Sequence, residues 1–189
     1  MTSGDELYRR YLAGDSSAGD QLMLQYGDQL MAYLDAFLHN LHDAEDLMLD
    51  CFAVILVKKP QIREGNFRAY LFRVARNKAN RLWRLRMKRN EFSLDDTGRT
   101  VLLAEGTGRT VPLAEMERKE RNAALERCLN RIAPQYREAL SLVYEFGMTY
   151  SQASEVLGCS TKKIDNLLAN GKKQLRQELE KEGITHADI

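Results

Sequence analysis

Residues 67–89 read FRAYLFRVARNKANRLWRLRMKR, and this stretch carries the most information about the fold. On a helical wheel at about 100° per residue its apolar side chains fall on one stripe, which predicts an amphipathic helix with one buried side. The stripe consists of Phe67, Leu71, Val74, Ala75, Leu82 and Leu85. The opposite side collects Arg73, Arg76, Asn77, Asn80 and Arg84, with Phe72 and Trp83 at its border.

The polar side of this helix has the composition of a nucleic-acid-binding surface. Guanidinium groups bind phosphates, asparagine side chains contact base edges, and exposed rings stack on unpaired bases. For Phe72 and Trp83 the alternative is packing against another helix. The loop that precedes the helix adds three candidate DNA-binding residues, Lys59, Arg63 and Asn66.

Charge is distributed unevenly along the chain, although the formal net charge is only +1. Residues 1–50 hold ten acidic side chains and two basic ones, whereas residues 63–89 hold ten basic side chains and one acidic one. This division predicts an acidic surface for one partner and a basic surface for a polyanion.

Apolar periodicity predicts an all-α protein with two small helical domains joined by a flexible linker. Helices are predicted over residues 6–40, 43–58, 67–89, 116–131 and 134–146 and beyond. The stretch 90–114 is richer in glycine and contains a tandem near-repeat, TGRTVLLAE at 97–105 and TGRTVPLAE at 107–115. We therefore expect domains at 1–92 and 119–181, a linker at 93–118 and a tail at 182–189.

The carboxyl-terminal part has the pattern of a helix-turn-helix: a helix over 150–157, the turn Gly158-Cys159-Ser160, and a helix from Thr161. In such a unit the second helix enters the major groove. Ile164, Leu168 and Leu175 are expected to face the core. The residues expected to contact bases and phosphates are Ser160, Thr161, Lys162, Lys163, Asn166, Asn170 and Lys173. A helical hairpin with a solvated basic face is the alternative.

Several other classes of protein are not indicated. The longest apolar run, 51–57, is too short to cross a membrane and the amino terminus lacks a signal-peptide pattern, so we expect a cytoplasmic protein without membrane insertion. Cys51, Cys128 and Cys159 form no metal-binding or disulfide pattern. No catalytic motif stands out, so neither an enzyme nor a cofactor is expected.

His39, His42, Asp43 and Asp46 could share a helical face and imitate a metal site. The same segment also has the pattern of a helix start, with Asp43 as the N-cap and Glu45 and Asp46 in the first turn. That capping role accounts for the acidic residues without a metal.

Three motifs together resemble the extracytoplasmic-function (ECF) group of sigma-70-type sigma factors. They are DAEDL at 43–47 followed by Cys51-Phe52, FRAYLFRVARN at 67–77 followed by the basic stretch 81–89, and Ala133-Pro134 with GMTYSQ at 147–152 and LGCS at 157–160. The chain departs from the family pattern at Gln152-Ala153-Ser154, Lys162-Lys163-Ile164 and Asn170-Gly171. A glycine inside a helix costs about 1 kcal/mol relative to alanine.

The resemblance implies a transcription initiation factor that works with core RNA polymerase, promoter DNA and an anti-sigma factor. The acidic helix with Asp43, Glu45, Asp46 and Asp50 is expected to bind the polymerase. The Arg/Asn helix and the loop 59–66 are expected to capture a flipped base of the minus-ten element, and the helix-turn-helix to read the minus-thirty-five element. The alternatives are a DNA-binding regulator that no longer binds polymerase and, more distantly, a helical metalloprotein using His39 and His42.

Overall fold

The computed structural model describes residues 2–89 and 113–184, and every regular element in these ranges is helical. The helices before residue 90 are α1 (Gly4–Leu12), α2 (Ser16–Leu38), α3 (Leu41–Lys58) and α4 (Phe67–Arg89). Those after residue 112 are α5 (Leu113–Arg131), α6 (Pro134–Leu140), a π-helical segment (Ser141–Glu145), α7 (Tyr150–Leu157) and α8 (Thr161–Lys181). The predicted all-α class is confirmed.

The helices fall into two compact units. The first contains α1 to α4 and α7, and the second contains α5, α6, the π-helical segment and α8. Helix α5 begins at Leu113, three residues before its predicted start. The tandem near-repeat lies almost entirely outside the described residues. Within the two described ranges, no helix is both long enough and apolar enough to cross a bilayer.

The core of the first unit forms where α2 packs against α1, α3 and α4. The helical repeat along α2 is buried there, through Leu22, Tyr26, Leu30, Tyr33 and Leu34. The other helices contribute Leu7, Phe52, Ile55, Phe67, Leu71 and Phe72. Burying one side chain of this size contributes roughly 1.5–3 kcal/mol, so this shared centre holds the four helices together.

The boundary between α2 and α3 corrects two predictions. The N-cap of α3 is Asn40 and not Asp43, because the helix begins at Leu41 and Asn40 Oδ1 accepts the amide hydrogen of Asp43 at 3.1 Å. Helix α2 ends at Leu38, and His39 takes a left-handed conformation with φ 53°. His39 and His42 therefore lie on opposite sides of a helix break and do not share a helical face. The described residues contain no cluster of three potential metal ligands.

The helix that begins at Pro134 changes its hydrogen bonding before it ends. Over Ser141–Glu145 it is π-helical, and the Phe146 amide donates to the Ser141 carbonyl at 2.9 Å. The apolar pattern predicts only a continuous helix to Phe146. The wider turn still leaves Leu142 and Phe146 buried, while Tyr144 is exposed. Gly147 ends the segment with φ 61°, the left-handed conformation common at helix C-termini.

Gly171 lies inside α8 at the contact with α6 and is buried. A Cβ atom at this position would lie 3.1 Å from Leu140 Cδ1 and 3.2 Å from Tyr136 Cβ. The sequence indicates only the cost of glycine in a helix. The structure shows that the missing side chain lets α6 and α8 approach closely.

We expect Gly171→Leu to lower the free energy of unfolding of the second unit by about 1–3 kcal/mol, because the added side chain overpacks the contact with α6. Thermal unfolding followed by circular dichroism measures the loss. Ala169→Leu is the matched control, since Ala169 is exposed on the same helix, and it should change stability by less than about 0.5 kcal/mol. Equal effects of the two substitutions would contradict the close approach.

Candidate nucleic-acid interface

Helix α4 buries one side only along its first half. Its buried residues are Phe67, Ala69, Leu71, Phe72, Ala75 and Ala79. Beyond Ala79 none of its described side chains is buried, and Leu85 is 44% exposed. The prediction that Leu85 belongs to the buried stripe is therefore wrong, because the buried row ends before the apolar pattern does.

The two aromatic residues at the border of the stripe have different environments. Phe72 is completely buried, with its ring centroid 5.2 Å from that of Tyr33, so for this residue the core-packing alternative is correct. Trp83 is 43% exposed on the half of α4 that extends past the core. Of the two rings, only Trp83 offers a surface on which a base could stack.

The predicted Arg/Asn face of α4 is accessible. Arg73, Asn77 and Arg84 are exposed, and Arg76 and Asn80 are half-buried. The Arg73 guanidinium lies 5.1 Å from the centroid of the Tyr70 ring, a cation–π contact that orients it. An open groove runs along this half of the helix and is lined by Arg76, Asn77, Asn80, Arg81, Trp83, Arg84, Leu85, Met87 and Lys88.

Two ion pairs connect α4 to the acidic side of α3. Arg86 Nη2 lies 2.6 Å from Asp43 Oδ2, and Lys78 Nζ lies 3.0 Å from Asp50 Oδ2. The sequence pattern of either helix alone does not predict these pairs. The signal that could indicate them is spacing, since the acids recur along α3, and the cations along α4, at a similar interval of about two helical turns.

These pairs involve two of the acidic residues predicted to bind polymerase, Asp43 and Asp50. The side chains of Asp43 and Arg86 are only 21% and 30% exposed, so this pair is part of the packing between the two helices. Asp50 is exposed although paired with Lys78. Glu45 and Asp46 are exposed on the same helix, with Asp46 Oδ2 4.0 Å from His42 Nδ1.

The loop between α3 and α4 begins at Lys59, which is exposed and has φ 46°. Arg63 is exposed as well. Asn66 is half-buried, and its side-chain amide donates to Glu155 Oε1 of α7, in the same unit, at 2.9 Å. Two of the three loop residues predicted to contact DNA therefore lie open to solvent, and the third is hydrogen-bonded.

Helix α8 presents the row of polar residues that the sequence predicts. The Ser160 hydroxyl caps the helix by accepting from the Lys163 amide. All of the predicted contact residues are exposed: Ser160, Thr161, Lys162, Lys163, Asn166, Asn170 and Lys173. Ile164, Leu167 and Leu168 are buried. Leu175 is half-buried and not part of the core as predicted.

Lys172, next to this row, was not among the predicted contacts. Its ammonium lies 4.7 Å from the centroid of the Tyr144 ring. A hydrogen bond with the Tyr144 side chain, and the negative charge of that side chain when it is ionised, raise the pKa of Lys172. The π-helical segment thus holds one cation of α8 beside the exposed row.

Comparison with known families gives two matches. Residues 22–89 match the family model described as Sigma-70 region 2, and residues 122–175 match the one described as Sigma-70, region 4. The first range contains α3, α4 and the loop between them, and the second contains α7 and most of α8.

Curated relatives carry related names. The ECF RNA polymerase sigma factor SigE of Mycolicibacterium smegmatis is 27% identical over 175 residues, which cover 89% of this chain and 65% of SigE. The chain thus spans slightly less than two thirds of that relative. The RNA polymerase sigma factor NccH of Alcaligenes xylosoxydans xylosoxydans is 27% identical over 173 residues, which cover 90% of this chain and 91% of NccH.

Solved structures show the same fold. CnrH, solved in complex with the cytosolic domain of CnrY, has a TM-score of 0.66 at 23% identity and covers 94% of this chain and 97% of its own. The sigma factor RpoE of Bartonella quintana, solved with the anti-sigma factor NepR, has a TM-score of 0.65 at 22% identity and covers 85% of this chain and 96% of its own.

We expect Arg86→Met to lower the free energy of unfolding of the first unit by about 1–3 kcal/mol, because it leaves the partly buried Asp43 carboxylate without its cation. Urea denaturation followed by Trp83 fluorescence measures the effect. Arg84→Met is the control for stability, since Arg84 is exposed, and should change it by less than about 0.5 kcal/mol. If the Arg86 variant is as stable as the Arg84 variant, the Asp43 pair does not stabilise the packing.

Proposed function

This chain belongs to the extracytoplasmic-function group of sigma-70-type RNA polymerase sigma factors, and we propose that it binds core polymerase, recognises promoter DNA and helps to melt it. One observation carries the proposal: α4 presents an accessible row of Arg and Asn side chains with Trp83 in its second half, and the loop before α4 exposes Lys59 and Arg63. In this role the chain positions DNA for the polymerase and needs no catalytic residue of its own.

The first unit is proposed to act at the minus-ten element. The exposed guanidinium groups of Arg73 and Arg84, with Arg76, bind backbone phosphates, and Asn77 and Asn80 contact base edges. The loop residues Lys59, Arg63 and Asn66 take part in capturing a flipped base at the start of α4. Unstacking a base costs a few kcal/mol, so several such contacts have to act together to offset it.

Helix α8 is proposed to read the minus-thirty-five element. Its buried side anchors it in the second unit through Ile164 and Leu168, which leaves the opposite row for the major groove. Lysines in that row contact phosphates, and Asn166 and Asn170 have the side-chain geometry for bidentate pairing with adenine.

The acidic side of α3 is proposed to bind a basic surface of core polymerase through Asp43, Glu45, Asp46 and Asp50. Glu45 and Asp46 are its most accessible members, because Asp43 and Asp50 also pair with α4. We further propose that an anti-sigma factor masks these surfaces. RpoE of Bartonella quintana was solved with such a partner, NepR.

Run-off transcription with core RNA polymerase and a genomic promoter library tests the proposed function directly. We expect specific transcripts only when the full chain is added. A chain with Asp46→Lys should reduce them, because the reversed charge repels a basic polymerase surface. Tight and specific promoter binding by the free chain, with no transcripts, would instead support a regulator that acts without polymerase.

The salt dependence of promoter binding tests the roles of individual cations. We expect Arg84→Gln and Lys163→Gln each to reduce the slope of log Kobs against log salt by about 1, since each removes one phosphate contact. Filter binding of the holoenzyme over a salt series measures the slope. Lys181→Gln is the matched control, because Lys181 pairs with Glu178 at the far end of α8. A wild-type slope for Arg84→Gln would place Arg84 outside the DNA contact.

A further inference from the structure

Helix α1 lies outside the part of the chain that matches Sigma-70 region 2, since that match begins at residue 22. Nevertheless it makes hydrogen bonds to both ends of the loop between α3 and α4. This short helix therefore contacts the segment proposed to capture a promoter base.

At the start of the loop, two tyrosines of α1 hold backbone carbonyls on either side of Lys59. The buried Tyr8 donates its hydroxyl hydrogen to the Pro60 carbonyl at 2.7 Å, and Tyr11 donates to the Leu56 carbonyl at 3.0 Å. Burial raises the pKa of Tyr8 to about 12. The Lys59 ammonium lies 5.1 Å from the Tyr11 ring centroid.

Lys59 is also the residue at which α3 ends. It has φ 46°, a left-handed conformation that is common directly after a helix, and its amide donates to the Ile55 carbonyl at 3.0 Å. The contacts with α1 therefore add to an end of α3 that is already hydrogen-bonded. The two carbonyl hydrogen bonds and the ring contact with the Lys59 ammonium come from a single helix, α1.

At the end of the loop, α1 holds the first residue of α4. Asp5 Oδ1 accepts the Phe67 amide hydrogen at 3.1 Å and thereby satisfies a donor at the N-terminus of α4 from another helix. The Phe67 ring packs between Tyr8 and Tyr26, at centroid distances of 5.2 and 5.7 Å. In the middle of the loop, Arg9 Nη2 pairs with Glu64 at 2.7 Å.

We infer that α1 is a positioning element for promoter-base capture, in which Asp5, Tyr8 and Tyr11 hold the loop 59–66 and the start of α4 in the conformation that receives the base. The inference rests on the proposed function. Without these contacts the loop has more conformations to lose when it captures a base, and this entropy reduces the energy available for capture. Asp5, Tyr8 and Tyr11 act through the loop and are not themselves DNA contacts.

The test compares transcription from two templates by the reconstituted holoenzyme. One is a promoter found in the run-off experiment. The other carries an abasic site at the minus-ten position where loss of the base reduces wild-type transcription most. The rate on the intact promoter divided by the rate on the abasic template measures how much the captured base contributes to transcription. We expect the double variant Asp5→Ala/Tyr8→Phe to reduce this ratio by about 10-fold, which corresponds to about 1.4 kcal/mol.

Two controls separate positioning from stability. Leu34→Val shortens a buried side chain of α2 and so lowers the stability of the same unit. It should leave the ratio at its wild-type value. Asp5→Asn/Tyr8→Phe keeps an oxygen that can accept from the Phe67 amide and should recover part of the lost ratio. If the double variant lowers both rates equally and keeps the wild-type ratio, α1 is merely structural and the inference fails.

Amide hydrogen exchange on the free chain gives a readout that does not depend on transcription. We expect the Asn66 amide, which donates to the Arg63 carbonyl within the loop at 3.1 Å, to exchange about 10-fold faster in Asp5→Ala/Tyr8→Phe than in Leu34→Val. Unchanged exchange in this loop would overturn the inference. If instead the wild-type chain supports no transcription while the loop exchange does accelerate, the proposed function fails although α1 still holds the loop.

Discussion

The packing of Phe67 between Tyr8 and Tyr26 is the contact on which the first unit depends. Phe67 is the first residue of α4 and is completely buried, so its position determines where this helix begins and which way it runs. The buried row continues only as far as Ala79. The second half of the helix carries exposed arginines, Asn80 and Trp83. Its direction is fixed at the start of α4 by three aromatic rings, which come from α1, α2 and α4.

The cations of α4 have two kinds of surroundings, and position along the wheel decides between them. Lys78 and Arg86 face α3, where they form ion pairs with aspartate carboxylates and hold the two helices together. Arg73 and Arg84, on the other side, remain exposed. The excess of positive charge between residues 63 and 89 is thus partly internal. A count of charges in the sequence overstates both the basic surface of α4 and the acidic surface of α3.

Local patterns predict much of this fold and of the candidate site. The bounds of α4 and α7 and the exposed row of α8 agree with the sequence because periodicity and helix-end signals act within a few residues. The exposure of Leu85 and the cap at Asn40 were not predicted. The exposure of Leu85 depends on where the neighbouring core ends. The cap depends on a choice between Asn40 and Asp43, two polar residues three positions apart that both suit a cap. The contacts of Asp5 and Tyr8 with residues more than fifty positions away leave no local signal in the sequence.

The glycine in the middle of α8 also limits how that helix can rotate. With Leu140 and Tyr136 packed against the bare Cα of Gly171, a roll of α8 about its axis would bring a full side chain into a space that does not admit even a methyl group without adjustment. The direction in which the polar row of α8 faces is therefore fixed by the lack of a Cβ atom at Gly171. The chemistry of this exposed row therefore changes by exchange of its side chains, since rolling the helix would displace Leu140 and Tyr136.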